Sequence, residues 1–237
     1  LLKKPLDALS KVIGINDMAA LGLLTTLASS TPTFGLVEKM DRKGIVLNNP
    51  VDVQRIPAQY TGEREKVVVA AGRLSAQKNF PLLLQAFAKF SGRHPDYRLR
   101  IFGEGELREE LTELARSLNI ADRVELPGRS TALLEKMNTA AMFVLSSDYE
   151  GMPMTIIEAM GTGLPIVATA VGGVPDMLKD MESGLLVSCE PAEIAEAVCR
   201  LLDSEKLRKT LGRNARLDSK QFGAEHMAQC YCDSYRK

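Results

Sequence analysis

The sequence predicts an α/β domain built on a doubly wound parallel sheet, and three observations carry that expectation. Short, wholly apolar runs such as Val67–Ala71 mark strands covered on both faces, because a strand with one wet face would alternate. Stretches with apolar residues three and four apart follow these runs, the spacing of amphipathic helices. The two patterns alternate from residue 67 onward, which favours parallel pairing through helical crossovers over hairpins.

Each element can be read in order. Val67–Ala71 closes at Gly72 and predicts the first strand. Phe80, Leu83, Leu84, Phe87 and Phe90 predict a helix ended by Gly92 and Pro95. Leu99–Phe102 reads as a strand stopped at Gly103, and Leu107, Leu111, Leu114, Ala115 and Leu118 mark the next helix. Val124–Leu126, Met142–Ser146, Ile166–Thr169 and Leu185–Val187 are further short strands. Helical stretches near 131–138, 154–161, 175–179 and 192–202 separate or follow them, and two more, near 204–217 and 224–236, complete the set.

The first 60 residues read differently. Lys11–Ile15 and Ile45–Leu47 are short strand candidates, and a helix of about three turns begins near Asp17. Residues 18–37 carry no charge, yet they include six hydroxyl side chains and Pro32, too polar for a membrane span. Thr61–Lys66 is a charged run with the character of a linker. The chain therefore divides into a segment 1–60, an α/β domain 61–217 and a C-terminal helix 218–237.

Composition removes several classes. An apolar share of 45% with 25% charged residues is that of a globular protein and not of a disordered tail. Thirty basic and thirty acidic side chains cancel, so no global field draws the chain toward nucleic acid. Cys189, Cys199, Cys230 and Cys232 form no C-x-x-C pair, and neither His94 nor His226 belongs to a zinc spacing. Free thiols in a reducing cytoplasm are the expectation. No secretory signal pattern opens the sequence.

Four motifs bear on chemistry. Gly72-Arg73-Leu74-Ser75-Ala76-Gln77-Lys78 follows the first strand, where open α/β sheets bind ligands. Arg73 suits a phosphate through paired hydrogen bonds and Lys78 as a point charge; taken alone, the loop is equally a solvated basic turn. It is no P-loop, since Gln77 replaces the second glycine and Asn79 the Ser or Thr. Gly103-Glu104-Gly105-Glu106 lacks the third glycine of a dinucleotide fingerprint, Arg108 standing there, and its acids would repel a pyrophosphate. It reads as a turn opening a helix.

Asp148-Tyr149-Glu150-Gly151-Met152-Pro153-Met154, running on to Glu158, is the most informative stretch. Pro153 is placed to open a helix whose exposed amides favour an anion. Two carboxylates beside such a site fit the recognition of sugar hydroxyls, or a helix-dipole partner plus a surface acid. Asp148 with Glu150 makes a metal pair only if a third ligand joins them. Gly172-Gly173 reads as a tight turn or as backbone that can approach a ligand closely. Met152, Met154 and Met160 read as packing residues.

These pieces occur in a recognisable order: "GRLSAQKNF", "GEGELREEL", "LPGR", "SSDYEGMPMTIIEAMGTGLPIVAT", "VGGVPDML" and "SGLLV". Together they resemble the donor-binding C-terminal half of the retaining family 4 glycosyltransferases, also called glycosyl transferases group 1. Those enzymes have a two-domain GT-B fold with Rossmann-like halves. The likeness runs from about residue 45 to 217, and "VLNNPVD" resembles the start of that half. Its most specific part is the pair Glu150 and Glu158 within "EG-x-P-x-x-x-x-EAM".

The resemblance implies roles. Arg73 and Lys78 hold the donor diphosphate; Glu150 contacts hydroxyls of the transferred sugar; Glu158 binds the nucleotide ribose. Gly128 and Arg129, with Pro127, line the base pocket, and amides near Gly151, Met152, Met154 and Thr155 meet sugar and phosphates. Pro153 departs from the glycine common in the family and removes one N–H. The same resemblance implies transfer with retention and without an essential metal or cofactor. Partners would be a nucleotide sugar and a glycan or lipid-linked acceptor. The location would be cytoplasmic or peripheral at the inner face of the membrane, through an acceptor half of which residues 1–60 are an incomplete part. The uncharged stretch 18–37 is then expected to pack against the donor domain. Two other readings stay open: a GT-B-fold nucleotide-sugar epimerase, and a non-catalytic nucleotide-binding module.

Overall fold

The computed structural model describes residues 56–58, 60–223 and 226, nearly all within one compact unit, Val51–Gln221. Six strands form one sheet: β1 (Val67–Ala71), β2 (Arg98–Phe102), β3 (Val124–Gly128), β4 (Met142–Leu145), β5 (Ile166–Thr169) and β6 (Leu185–Val187). All pairs are parallel, in the order β3-β2-β1-β4-β5-β6. The expected doubly wound α/β fold is present. β1, β4 and β5 are buried at every residue, as strands between two helical layers must be.

The helices are α1 (Phe80–Ser91), α2 (Arg108–Ser117), α3 (Leu133–Thr139), α4 (Met154–Gly161), α5 (Val174–Met177), α6 (Pro191–Asp203) and α7 (Glu205–Asp218). Side-chain caps set the starts of two of them. Asn79 caps α1 by accepting from the Leu82 N–H at 3.2 Å, with Pro81 in the first turn. Ser204 does the same for α7 through the Leu207 N–H. The largest part of the core lies where α1 packs on α6 and the sheet, and Leu83, Phe87 and Phe90 are buried there. The rings of Phe87 and Phe90 meet edge to face, 5.0 Å between centroids. Burying each contributes roughly 1.5–3 kcal/mol.

Two boundaries depart from the expectation. β3 continues past Leu126 through Pro127 to Gly128; its ladder to β2 shifts register between Arg100 and Phe102. An edge strand tolerates a proline because one side of its backbone faces no partner. β4 stops at Leu145, because the Ser146 hydroxyl turns to donate to the Lys78 carbonyl at 2.9 Å.

Thr61–Lys66 is fastened to the domain. The half-buried Arg64 guanidinium donates to the carbonyls of Asn138 (2.8 Å), Ala140 (2.9 Å) and Gly163 (3.4 Å). These carbonyls precede β4 and β5, so the run is anchored at the amino edge of the sheet. The strand candidates 11–15 and 45–47, the helix from Asp17, the stretch 18–37 and the final helix near 224–236 (His226 apart) lie outside the described residues.

The strand order reverses between β1 and β4. Loops leaving the carboxyl ends of those neighbours diverge to opposite layers and open a crevice there.

Candidate active site

Two loops meet at this reversal. The loop after β1 carries Arg73 and ends in a single 3-10 turn, Ala76–Lys78. The loop after β4 carries Glu150 and ends at Pro153, before α4. The Lys78 stem lies over Gly72, where an added Cβ would sit 3.1–3.2 Å from three of its methylenes. Its ammonium then donates to Glu150 Oε1 at 2.5 Å. The same oxygen accepts from the Ser147 hydroxyl at 2.6 Å. The pair is enclosed, its side chains 17% and 5% exposed.

The residues flanking Lys78 bind the same loop. Gln77 Nε2 donates to the Tyr149 carbonyl at 3.0 Å, and Asn79 Nδ2 donates to Asp148 Oδ1 at 2.6 Å. The Asp148 N–H donates back to the Gln77 carbonyl at 3.0 Å. Three consecutive residues of one loop are thus tied to the other, which sets Lys78 opposite Glu150. A third loop supports the acid from below. Gly172 has φ +52°, and a Cβ there would overlap the Glu150 carbonyl oxygen. The Gly173 N–H donates to that oxygen at 3.2 Å. The glycine pair makes the tight turn the sequence suggests, and the backbone it admits is that of the Glu150 loop.

The remaining expected residues are spread along the same carboxyl edge. Arg73 is exposed, and its guanidinium has no hydrogen bond among the described residues. Gly128 ends β3 with φ +85°, covered by Glu104, whose Oε1 would lie 2.5 Å from an added Cβ. Arg129 next to it is exposed. β3 stands two strands from β1, roughly 10 Å by the usual strand spacing, so these two do not touch the Lys78–Glu150 pair. Gly151 and Met152 sit in the loop itself, partly buried.

At α4, Pro153 offers no N–H, so the first amides are those of Met154 and Thr155, which have no partner within the helix. The Thr155 hydroxyl oxygen is buried without a hydrogen bond. Glu158 lies three residues on, on the same helix face as Thr155. Of the three methionines read as packing residues, Met160 is fully buried while Met154 is 37% exposed. The correction for Met154 has a simple cause: it stands in the first turn, above the carboxyl edge of the sheet, where no core covers it. Cys189 is exposed and Cys199 buried, and both are free. Cys230 and Cys232 lie outside the described residues.

Glu158 is half-buried, and burial pushes its carboxyl above the usual range. A raised carboxyl favours the fold below its ordinary value of about 4.3, and that contribution is lost as pH rises through the folded value. Glu158→Gln should therefore raise the melting temperature at pH 7.5. The gain should shrink toward pH 4. Calorimetric melting at both pH values checks this, and a lower melting temperature at pH 7.5 would contradict the burial argument.

Asp148 is engaged by Asn79. Among the described residues no group of three or more His, Cys, Asp or Glu is placed to hold a metal ion. Sequence reasoning does not single out Ser147, Thr169, Gln77 or Asn79 as site residues. Only Asn79 leaves a local signal, as an Asn capping a helix with proline in its first turn.

A parallel sheet of this order with helices on both faces defines a Rossmann-like α/β domain of the kind found in GT-B glycosyltransferases. The chain belongs to the family described as Glycosyl transferases group 1, whose profile matches residues 52–218. A second profile, Ethanolamine utilisation protein, EutH, matches residues 1–55, outside the described residues. Among curated relatives, the chain is 37% identical over 163 residues to an exopolysaccharide phosphotransferase of Streptomyces coelicolor, covering 68% of this chain and 17% of that protein. It is 28% identical over 193 residues to a diphospho-undecaprenol 4-alpha-N-acetylgalactosaminyltransferase of Campylobacter jejuni, covering 79% and 52%. The chain thus spans about half or less of the length of these relatives. Among solved structures it is similar to Staphylococcus aureus TarM in complex with Fondaparinux, alpha-GlcNAc-glycerol and UDP. The TM-score is 0.76 at 20% identity, over 88% of this chain and 43% of that one.

Proposed function

We propose that this chain is the donor half of a glycosyltransferase. It would move a hexose-type sugar from a nucleotide-diphosphate sugar to a glycan or lipid-linked acceptor, with retention, in surface polysaccharide or glycolipid biosynthesis. The observation that carries the reading is the enclosed Lys78–Glu150 pair at the β1–β4 reversal. An ammonium and a carboxylate held side by side suit a ligand whose phosphate and sugar hydroxyls are themselves adjacent.

Breaking the bond between sugar and diphosphate leaves positive character on the sugar and extra negative charge on the phosphate. Lys78 and Arg73 stabilise that phosphate more in the transition state than in the ground state. Glu150 accepts from the sugar hydroxyls and favours the developing charge, Glu158 takes the ribose, and Gly128 and Arg129 bound the base. The amides of Met154 and Thr155 face the anion. No metal or cofactor is assigned a role, because two cations already answer the diphosphate charge.

The acceptor would come from outside the donor domain, at the inner face of the membrane. No helix among the described residues is long and apolar enough to cross one.

A thermal-shift panel of UDP-, GDP- and ADP-linked sugars tests the reading; stabilisation by none of them would sink it. With the base identified, Arg73→Ala should cost ~1.5–3 kcal/mol of nucleoside-diphosphate affinity by calorimetry, as for a charge-assisted hydrogen bond. EDTA should leave the wild-type affinity unchanged.

A further inference from the structure

Glu150 is held asymmetrically. Oε1 accepts two short hydrogen bonds, from the Lys78 ammonium and the Ser147 hydroxyl. Oε2 has no partner among the described residues, and it is not among the polar atoms sealed from solvent without one. Ser147 is itself fixed. It is fully buried, and the Thr169 hydroxyl at the end of β5 donates to its carbonyl at 2.7 Å. The link from β5 to one oxygen of the acid therefore runs from the Thr169 hydroxyl to the Ser147 backbone, and from the Ser147 hydroxyl to Glu150 Oε1.

We propose that Ser147 is a positioning residue. By sharing Oε1 with Lys78, it turns the Glu150 carboxylate so that Oε2 is presented to the hydroxyls of a bound sugar. The claim rests on the glycosyltransferase reading for its ligand, but the orientation of the acid is a property of the ligand-free protein. The physical case is one of rotational freedom. A carboxylate with one ammonium at one oxygen can pivot about that contact, because an ammonium is a near-spherical donor. A second donor from a different direction removes the pivot, and Ser147 is rigid enough to supply it. Lys78 alone cannot do both tasks, since it must also answer a phosphate.

Ser147→Ala removes the hydroxyl and little volume. Thr169→Val leaves Ser147 its hydroxyl but removes the short bond to its carbonyl, which keeps only the weak 3.9 Å contact from the Cys189 thiol. Both are measured in the whole chain, with UDP and UDP-glucose, GDP and GDP-mannose, and ADP and ADP-glucose as probes. In Ser147→Ala, affinity for the nucleoside diphosphate should stay within about twofold, while affinity for its sugar conjugate falls about tenfold, in line with a lost charged hydrogen bond. Thr169→Val should show the same pattern at about threefold, and it carries the test if Ser147→Ala does not fold. An equal fall for both ligands would show that Ser147 only supports the loop, and unchanged affinity for both would show that it does nothing; either overturns the proposal. Carbon-13 relaxation of the Glu150 γ-methylene without ligand separates this from the functional reading. Increased Glu150 mobility in Ser147→Ala supports the positioning role even if no nucleotide sugar binds the wild type. Unchanged mobility overturns it.

Discussion

Lys78→Met is expected to destabilise the domain by about 3 kcal/mol, and to abolish measurable nucleoside-diphosphate binding. The stem keeps its place over Gly72, so the loss does not come from a cavity. It comes from Glu150, whose side chain is only 5% exposed and loses its cation. Removing one partner of a buried ion pair typically costs about 3–5 kcal/mol, because the remaining charge stays desolvated. The lower end applies here, since the Ser147 hydroxyl still donates to Glu150 Oε1. The sign of the second substitution makes the test sharp. Lys78→Met/Glu150→Gln removes the orphaned charge while its amide oxygen still accepts from Ser147, so most of the stability should return. Urea denaturation of the two single variants and the double variant gives the coupling directly. A single-variant loss under about 1 kcal/mol, the size of an exposed ion pair, would mean that water screens the pair.

Gly172→Ala should be comparably damaging, at about 2–5 kcal/mol. Two costs add: an L-residue must adopt the left-handed region at φ +52°, and its Cβ must displace the Glu150 carbonyl. The structure can relieve the overlap only by moving the Glu150 loop, which also breaks the bond from the Gly173 N–H. Affinity for a nucleotide sugar should fall along with stability. Gly92→Ala is the control, because it sits at φ −69° with nothing within 4 Å of the added Cβ. It should be neutral or slightly stabilising, since alanine restricts the unfolded chain. If both variants melt together near the wild type, the third loop does not hold the acid.

Much of the fold was legible because its signals are local. Val67–Ala71 is apolar throughout, and Phe80 to Phe90 repeats at three and four; both patterns produce the elements expected of them. Boundaries failed where a tertiary contact competed. Ser146 leaves β4 for the Lys78 carbonyl, and Pro127 stays in β3 because that strand lies at the edge. Thr61–Lys66 has the charge of a linker. Its arginine instead satisfies three backbone carbonyls that the helix and loop ends leave open. Met154 carries an apolar side chain into a helix start that no core covers.

For the site, the sequence by itself determined which chemical groups are present and on which loops they ride. Arg73 and Lys78 follow β1; Glu150 and Glu158 flank the start of α4. Strand alternation places all of them at one edge of a sheet, because parallel strands share a direction. Only the tertiary structure decided which groups meet. Lys78 and Glu150 are 72 residues apart in sequence, and nothing local encodes their 2.5 Å contact or assigns Asp148 to Asn79. The same holds for Ser147, an ordinary serine until β5 and β4 pair and Thr169 reaches its carbonyl. Local patterns select secondary structure through side-chain periodicity and backbone preference. A hydrogen bond between distant loops depends on the sheet register and on the space that glycines such as Gly72 and Gly172 leave open, and these exist only once the strands have assembled.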